Sequence, residues 1–216
     1  MDASRRRLTL HYTPGSMFAR IIRVLIRELQ IECREVEITT FPPAPEYFSI
    51  NPLGQVPALE TEDGIRFPTR LIIDYVMELD RTAPSDIAAS VRRSGDFWQD
   101  DQTLAVLLAM GDALGAIKYQ SWAGLVPGSE NLIGYDPADR HMERVQRTLD
   151  WLESRATGAG FLPDCVSVQD IVLACFILWS EARGTIPWRG RSSLESIVAT
   201  CSERPSFLAT KPQPWP

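Results

Sequence analysis

The stretch Asn51-Pro52-Leu53-Gly54-Gln55-Val56-Pro57-Ala58-Leu59-Glu60 decides how the rest of the chain is read. Asn-Pro-x-Gly spells a tight turn, and the residue before a proline is driven to extended backbone, so Val56 leads into a strand that begins near Ala58. If the Val56-Pro57 bond is cis, the chain bends sharply and the N–H and C=O of Val56 point outward, unpaired by the sheet. Two such groups suit an extended peptide ligand. An ordinary trans-proline turn before a short strand accounts for the same ten residues, and taken alone they leave both readings open.

Upstream, Leu8-Thr9-Leu10-His11-Tyr12 alternates and stops at Thr13-Pro14-Gly15, which predicts a first strand and a turn. Ser16 then stands at a helix N-cap. Phe18, Ile21, Ile22, Leu25 and Leu29 follow at helical spacing, with Arg20, Arg23, Arg27 and Glu28 on other faces. Residues 31–38 alternate again through Cys33, Val36 and Ile38. The run Phe41-Pro42-Pro43-Ala44-Pro45 breaks that strand, and residues 46–50 allow one short helix. Downstream, residues 58–62 and 65–67 read as a hairpin around Asp63-Gly64 with a type I′ turn. Ile72, Tyr75, Val76 and Leu79 mark a second helix that Thr69 caps. The order β-α-β, then β-β-α, is that of a thioredoxin-like domain over residues 1–80.

Residues 80–84 form a polar, proline-ended linker, and no strand is expected beyond it. Residues 85–114 make a long amphipathic pattern through Phe97, Trp98, Leu104, Leu107, Leu108 and Met110. A Gly- and Pro-containing break over 122–135 precedes a helix over 137–156 with Val145, Leu149 and Leu152 inward. Ser167-Val168-Gln169-Asp170 is an acidic variant of the capping box ahead of Ile171, Ala174 and Cys175. The expected fold class is α/β plus all-α, a thioredoxin-like N-terminal domain followed by a helical bundle over 85–216.

Composition narrows the function classes. With 22 basic and 28 acidic residues the formal charge is -6, which argues against nucleic acid or an anionic membrane as the main partner. No run approaches the roughly 18 apolar residues of a membrane span. The basic start, Met1 to Arg7, lacks an apolar core, so no export signal is expected and the expected location is cytoplasmic. Cys33, Cys165, Cys175 and Cys201 show no metal-ligand spacing, and His11 and His141 stand apart, so neither a metal nor a disulfide framework is expected.

Three segments in this order, residues 12–20 (Tyr-Thr-Pro-Gly-Ser-Met-Phe-Ala-Arg), Asn51-Pro52-x-Gly54-x-Val56-Pro57-Ala58-Leu59 and residues 69–75 (Thr-Arg-Leu-Ile-Ile-Asp-Tyr), resemble the glutathione transferase superfamily. The Ser-x-x-Asp-Ile box at Ser167 and the Arg204-Pro205-Ser206 segment extend the resemblance over nearly the whole chain. It implies glutathione as co-substrate, no metal, a small-molecule electrophile as partner, a homodimer and a detoxifying transferase. A glutathione-dependent peroxidase or reductase, and a non-catalytic binding or scaffold protein, are the alternatives.

Activating glutathione requires a stabilised thiolate, and a hydroxyl donor at a helix N-terminus supplies that locally. Ser16 meets both conditions, although a serine cap with no ligand explains the local sequence as well. The resemblance places Ser16 where serine-type members carry the activating hydroxyl and others a cysteine; Thr13 and Tyr12 are nearby hydroxyls in reserve. It further implies that the Val56 backbone pairs with the cysteinyl unit and that Pro57 sets that geometry. Thr69 would hold the γ-glutamyl carboxylate, and Gln55 the glycyl carboxylate. One residue departs from the pattern: Pro68 stands where the family has Glu or Gln to receive the γ-glutamyl amine. Phe18, Met110, Tyr119 and Trp122 are candidates for the acceptor pocket from apolar character and placement.

Overall fold

Leu8 and Leu10 bury one face of β1 (Leu8–Tyr12), and the chain then turns into α1 (Met17–Glu28), whose Ile21, Ile22, Val24 and Leu25 are fully buried. The computed structural model describes residues 8–81, 91–92, 96–124, 136–162 and 165–212. From α1 the chain enters β2 (Cys33–Glu37), passes a 3-10 turn at Pro45–Ser49, forms the hairpin β3 (Ala58–Thr61) and β4 (Gly64–Arg66), and continues into α2 (Thr69–Arg81). The sheet order is β2-β1-β3-β4. β2 runs parallel to β1, while β3 is antiparallel to both β1 and β4. α1 packs against α2, joining two apolar helix faces through Ile72, Ile73 and Val76.

Two short strands, β5 (Val91–Arg92) and β6 (Val166–Ser167), occur where no strand was expected. The helices that follow are α3 (Phe97–Trp122), α4 (Pro137–Glu153), α5 (Val168–Glu181), α6 (Ser192–Ser202) and the short α7 (Pro205–Leu208). α5 is the centre of its unit, buried without interruption from Val168 to Ile177, with α3 and α6 packed on it and α4 on α3. At the crossing of α3 and α5 a Cβ on Gly111 would meet the Phe176 ring at 2.4 Å, so only glycine lets the ring seat there. None of the four cysteines forms a disulfide.

By its contacts the chain divides into Met1–Val91 with Arg204–Pro216, and Arg92–Glu203. The C-terminal segment, assigned by sequence to the helical part over 85–216, thus groups with the first unit. Arg204 and Ser206 bond Glu28 of α1, whose carboxylate they hold from two sides. The same return of chain buries Arg20, expected on a face of α1 other than the apolar one. Its Nη2 donates to the Phe207 carbonyl at 3.4 Å and its guanidinium lies 5.1 Å from the Phe207 ring centre.

Three further boundaries differ from expectation. The hairpin turns at Glu62-Asp63, since Thr61 pairs with Gly64. A type I′ turn needs positive φ at both central residues, and among the described residues the non-glycine with positive φ is Gln30, while Gly64 takes φ 116 one position later. Thr69 is the first residue of α2 rather than its cap, because the Pro68 carbonyl accepts from Leu71 and Ile72. The long helix begins at Phe97, where the Asp96 carboxylate accepts the Gln99 N–H at 3.1 Å, and runs to Trp122. Residues 85–90 and 93–95 of the expected helix, the linker beyond 81 and the break over 125–135 lie outside the described residues.

Candidate functional site

Strand register gathers the predicted site. His11 pairs with Ala58, so the loop leaving β1 and the one entering β3 emerge at the same end of the sheet. Leu59 pairs with Arg66, which brings the exit of β4, and with it the start of α2, to that end too. Ser16, Gln55, Val56, Pro57, Pro68 and Thr69 therefore all belong to one edge of the first unit.

Ser16 is the N-cap of α1, at φ -83 and ψ 118, and its Oγ accepts the Ala19 N–H at 3.1 Å. That bond uses a lone pair and leaves the hydroxyl proton available, and among the described residues no acceptor takes it. Neither α1 nor α2 carries an acid in its first turn, so neither helix offsets its positive end from its own first turn. Tyr12 is otherwise engaged. Its hydroxyl donates to Glu37 at 3.5 Å, Arg23 stacks 4.2 Å from its ring centre, and burial, with the carboxylates of Glu37 and Glu35, raises its phenol.

The Val56-Pro57 bond is cis, as are Phe41-Pro42 and Phe67-Pro68. Pairing of β3 with β1 starts at Ala58, so Val56 stands outside the ladder, and among the described residues its N–H and C=O take no hydrogen bond. Pro57 is buried, Gln55 and Pro68 are exposed, and Thr69 is 7 % exposed. Proline at 68 offers no side-chain acceptor for an amine.

Sequence reasoning missed the residues behind this edge. Tyr47 donates its hydroxyl to the Gln55 carbonyl at 2.9 Å, and Asn51 Nδ2 donates to the same oxygen at 2.7 Å. Asn51 Oδ1 in turn accepts the Leu53 N–H at 3.0 Å. Buried His11 lies with its ring centre 5.9 Å from that of Tyr47, and its Nε2 is 2.5 Å from Glu60 Oε1. The spacing of Tyr47 from Asn51, one helical turn before the Asn that opens the Asn-Pro turn, is the signal that could have found them.

The acceptor-pocket candidates fare unevenly. Met110 is buried at 1 %, whereas Tyr119 and Trp122 are exposed at 51 % and 43 % and pack ring to ring with centres 5.6 Å apart. Phe18 is half-buried on α1. A separate cleft of about 490 Å³ opens between α3 and α4, lined among others by Val106, Arg140, Arg144, Arg147 and Trp151, and none of the four candidates borders it. Among the described residues no cluster of His, Cys, Asp or Glu could hold a metal, and no helix is long and apolar enough to cross a membrane. Burial pushes the Cys33 thiol up to about 11, which disfavours its thiolate.

A mixed four-stranded sheet with β-α-β and β-β-α halves, followed in sequence by a mainly helical unit, defines a thioredoxin-like two-domain protein. A model of the glutathione S-transferase N-terminal domain matches residues 10–84, and one of the C-terminal domain matches residues 136–195. The FtsZ-localized protein A of Caulobacter vibrioides is 25% identical over 225 residues, covering 96% of this chain and 92% of that protein. The uncharacterized GST-like protein YibF of Escherichia coli is 26% identical over 200 residues, covering 91% of this chain and 95% of that one. A glutathione transferase family member from Pseudomonas fluorescens Pf-5, solved with bound glutathione, matches with a TM-score of 0.75 at 24% identity, over 96% of this chain and 100% of that chain. The chain belongs to the glutathione transferase superfamily.

Proposed function

We propose that this chain binds glutathione along the sheet end that carries Ser16, Val56 and Thr69, and that it activates the thiol for attack on an electrophilic, apolar substrate. The observation that carries the reading is the Ser16 hydroxyl, which caps α1 with its lone pair and keeps its proton to donate to sulfur. In the reaction the glutathione thiol gives its proton to solvent water, the thiolate forms a C–S bond, and the leaving group departs with its electron pair or, on an addition substrate, the carbanion takes a proton from water. Ser16 stabilises the anion. The Val56 N–H and C=O pair with the cysteinyl unit, the start of α2 with Thr69 holds the γ-glutamyl carboxylate, and Gln55 bonds the glycyl carboxylate. Pro57 shapes the edge that Val56 presents. The glutathione bound in the Pseudomonas fluorescens structure supports glutathione as the ligand. Serine at this place in the chain favours conjugation over the thiol-disulfide exchange a cysteine would support. The electrophile is a small molecule, and the working form is a cytoplasmic homodimer.

A second reading has specific support. Pro68 removes the usual anchor for the γ-glutamyl amine, and one relative bears a name tied to FtsZ rather than to an activity. On that reading the chain is a binding or scaffold protein built on the transferase fold. Retention on immobilised glutathione with elution by free ligand, followed by turnover of a chloronitroaromatic, separates the two. The transferase reading expects both, and it is contradicted if glutathione gives no retention and no thermal shift.

A further inference from the structure

The Gln55–Val56 peptide is a trans unit, so its C=O and N–H point in opposite directions along one rigid plane. Whatever fixes the carbonyl also fixes the direction of the N–H. The Gln55 oxygen is held by two donors at once, the Tyr47 hydroxyl at 2.9 Å and Asn51 Nδ2 at 2.7 Å, which together fill both of its lone pairs. Both side chains are buried, at 4 % and 1 % exposure, so water does not compete for that oxygen from their side.

The two donors are themselves held. The Asn51 amide cannot flip, because its Oδ1 accepts the Leu53 N–H while its Nδ2 donates to Gln55, and exchanging the two atoms would break both bonds. Asn51 and Tyr47 are tied to one another through the Asn51 N–H, which donates to the Tyr47 carbonyl at 2.9 Å, and the Gly54 N–H closes the turn onto the Asn51 carbonyl at 2.9 Å. The Tyr47 ring packs by His11. Burial pushes the Tyr47 phenol up to about 12, so the hydroxyl remains a donor across the working pH range. Two donors on a carbonyl also polarise the amide, which makes its N–H a stronger donor on the far side.

We infer that Tyr47 and Asn51 are positioning residues for glutathione: by clamping the Gln55 carbonyl from the interior they aim the Val56 N–H outward at the ligand. The inference rests on the reading of Val56 as the backbone partner of glutathione, and neither residue touches the ligand itself. Tyr47→Phe removes one donor and keeps the ring. Asn51→Asp keeps the acceptor for Leu53 and removes the other donor, which gives a second route if one variant folds poorly.

Two measurements on the full chain test it. In ¹⁵N relaxation of the ligand-free protein, the Val56 amide order parameter should fall from about 0.85 toward about 0.6 in each folded variant. Calorimetric titration with glutathione should show roughly tenfold weaker binding, while turnover at saturating glutathione changes less than twofold because Ser16 is untouched. An unchanged order parameter in both variants overturns the inference whether or not glutathione binds. A lowered order parameter with unchanged affinity overturns it as well. If the wild-type chain binds no glutathione, the functional reading fails instead, and the order parameter alone still decides whether the two residues set the peptide plane.

Discussion

Two serine caps in this molecule begin alike and end differently. Ser16 Oγ accepts the N–H of Ala19, and Ser167 Oγ accepts the N–H of Asp170, both at 3.1 Å and both three residues into the helix. At α5 the third residue is an acid that reaches back. Asp170 Oδ2 accepts from the Ser167 N–H and hydroxyl at 2.7 Å each, and Oδ1 accepts the Phe161 N–H at 3.0 Å, closing the box in a site where Ser167 is fully buried. At α1 the third residue is Ala19, which has nothing to offer, so the hydroxyl proton and the helix end remain available. The contrast extends to whole units: α3, α4, α5 and α6 each carry an acid in the first turn, through Asp100, Asp139, Asp170 and Glu195, and α1 and α2 carry none. One unit neutralises its helix ends internally. The other leaves two of them open where an anionic tripeptide would lie.

Removing each hydroxyl or its acid breaks that contrast in opposite ways. Ser16→Ala should cut turnover with an electrophile by roughly 10²–10³-fold, the size of one lost oxyanion donor, with a small shift in melting temperature; steady-state kinetics beside a melt reads both. Asp170→Ala takes the acceptor from three donors, two of them buried, and should cost about 3 kcal/mol of stability, read as a lower urea midpoint, with affinity for glutathione retained in the folded fraction. A smaller effect sharpens the point about helix ends. Arg70→Glu places an acid in the first turn of α2 and should weaken glutathione binding about fivefold, more at low salt than at high, by calorimetry.

The smallest effect concerns acid. Burial pushes the Glu35 carboxyl up, but Arg27 and Arg23, bonded to it at 2.5 and 2.9 Å, outweigh burial and hold it below the ordinary carboxylate range. A carboxyl depressed in the folded state contributes stability above its unfolded pKa of about 4.3, and that contribution fades as pH falls through the lower folded value. Denaturant midpoints at stepped pH should show a shallower acid loss in Glu35→Gln than in the wild type. Parallel curves would mean that the link between β2 and α1 adds nothing.

Much of the chain was legible because its signals are local. Ser16, the Ser167–Asp170 box and the Asn-Pro-x-Gly turn each declare themselves within a few residues, and turn and cap chemistry act over that range. The hairpin turn was misplaced by one residue because Asp63-Gly64 looks like a two-residue loop, while the pairing uses Gly64 as a strand residue. Burial of Arg20 was not legible, since helical periodicity shows a face and not the return of α7 onto it. Tyr47 and Asn51 escaped for a related reason: their spacing sets them one helical turn apart, but the backbone oxygen they share carries no side-chain identity to point at. Apolar letters were the least informative. Met110 became core while Tyr119 and Trp122 stayed exposed, and composition does not distinguish a packed side chain from a pocket wall.

The open cap at α1 is the centre of this account, and titrating the thiol of protein-bound glutathione by its ultraviolet thiolate absorbance tests it most directly. Wild-type protein should ionise the bound thiol at lower pH than free glutathione, and Ser16→Ala should return the midpoint toward the free value. Identical midpoints in wild type, Ser16→Ala and free glutathione would contradict it.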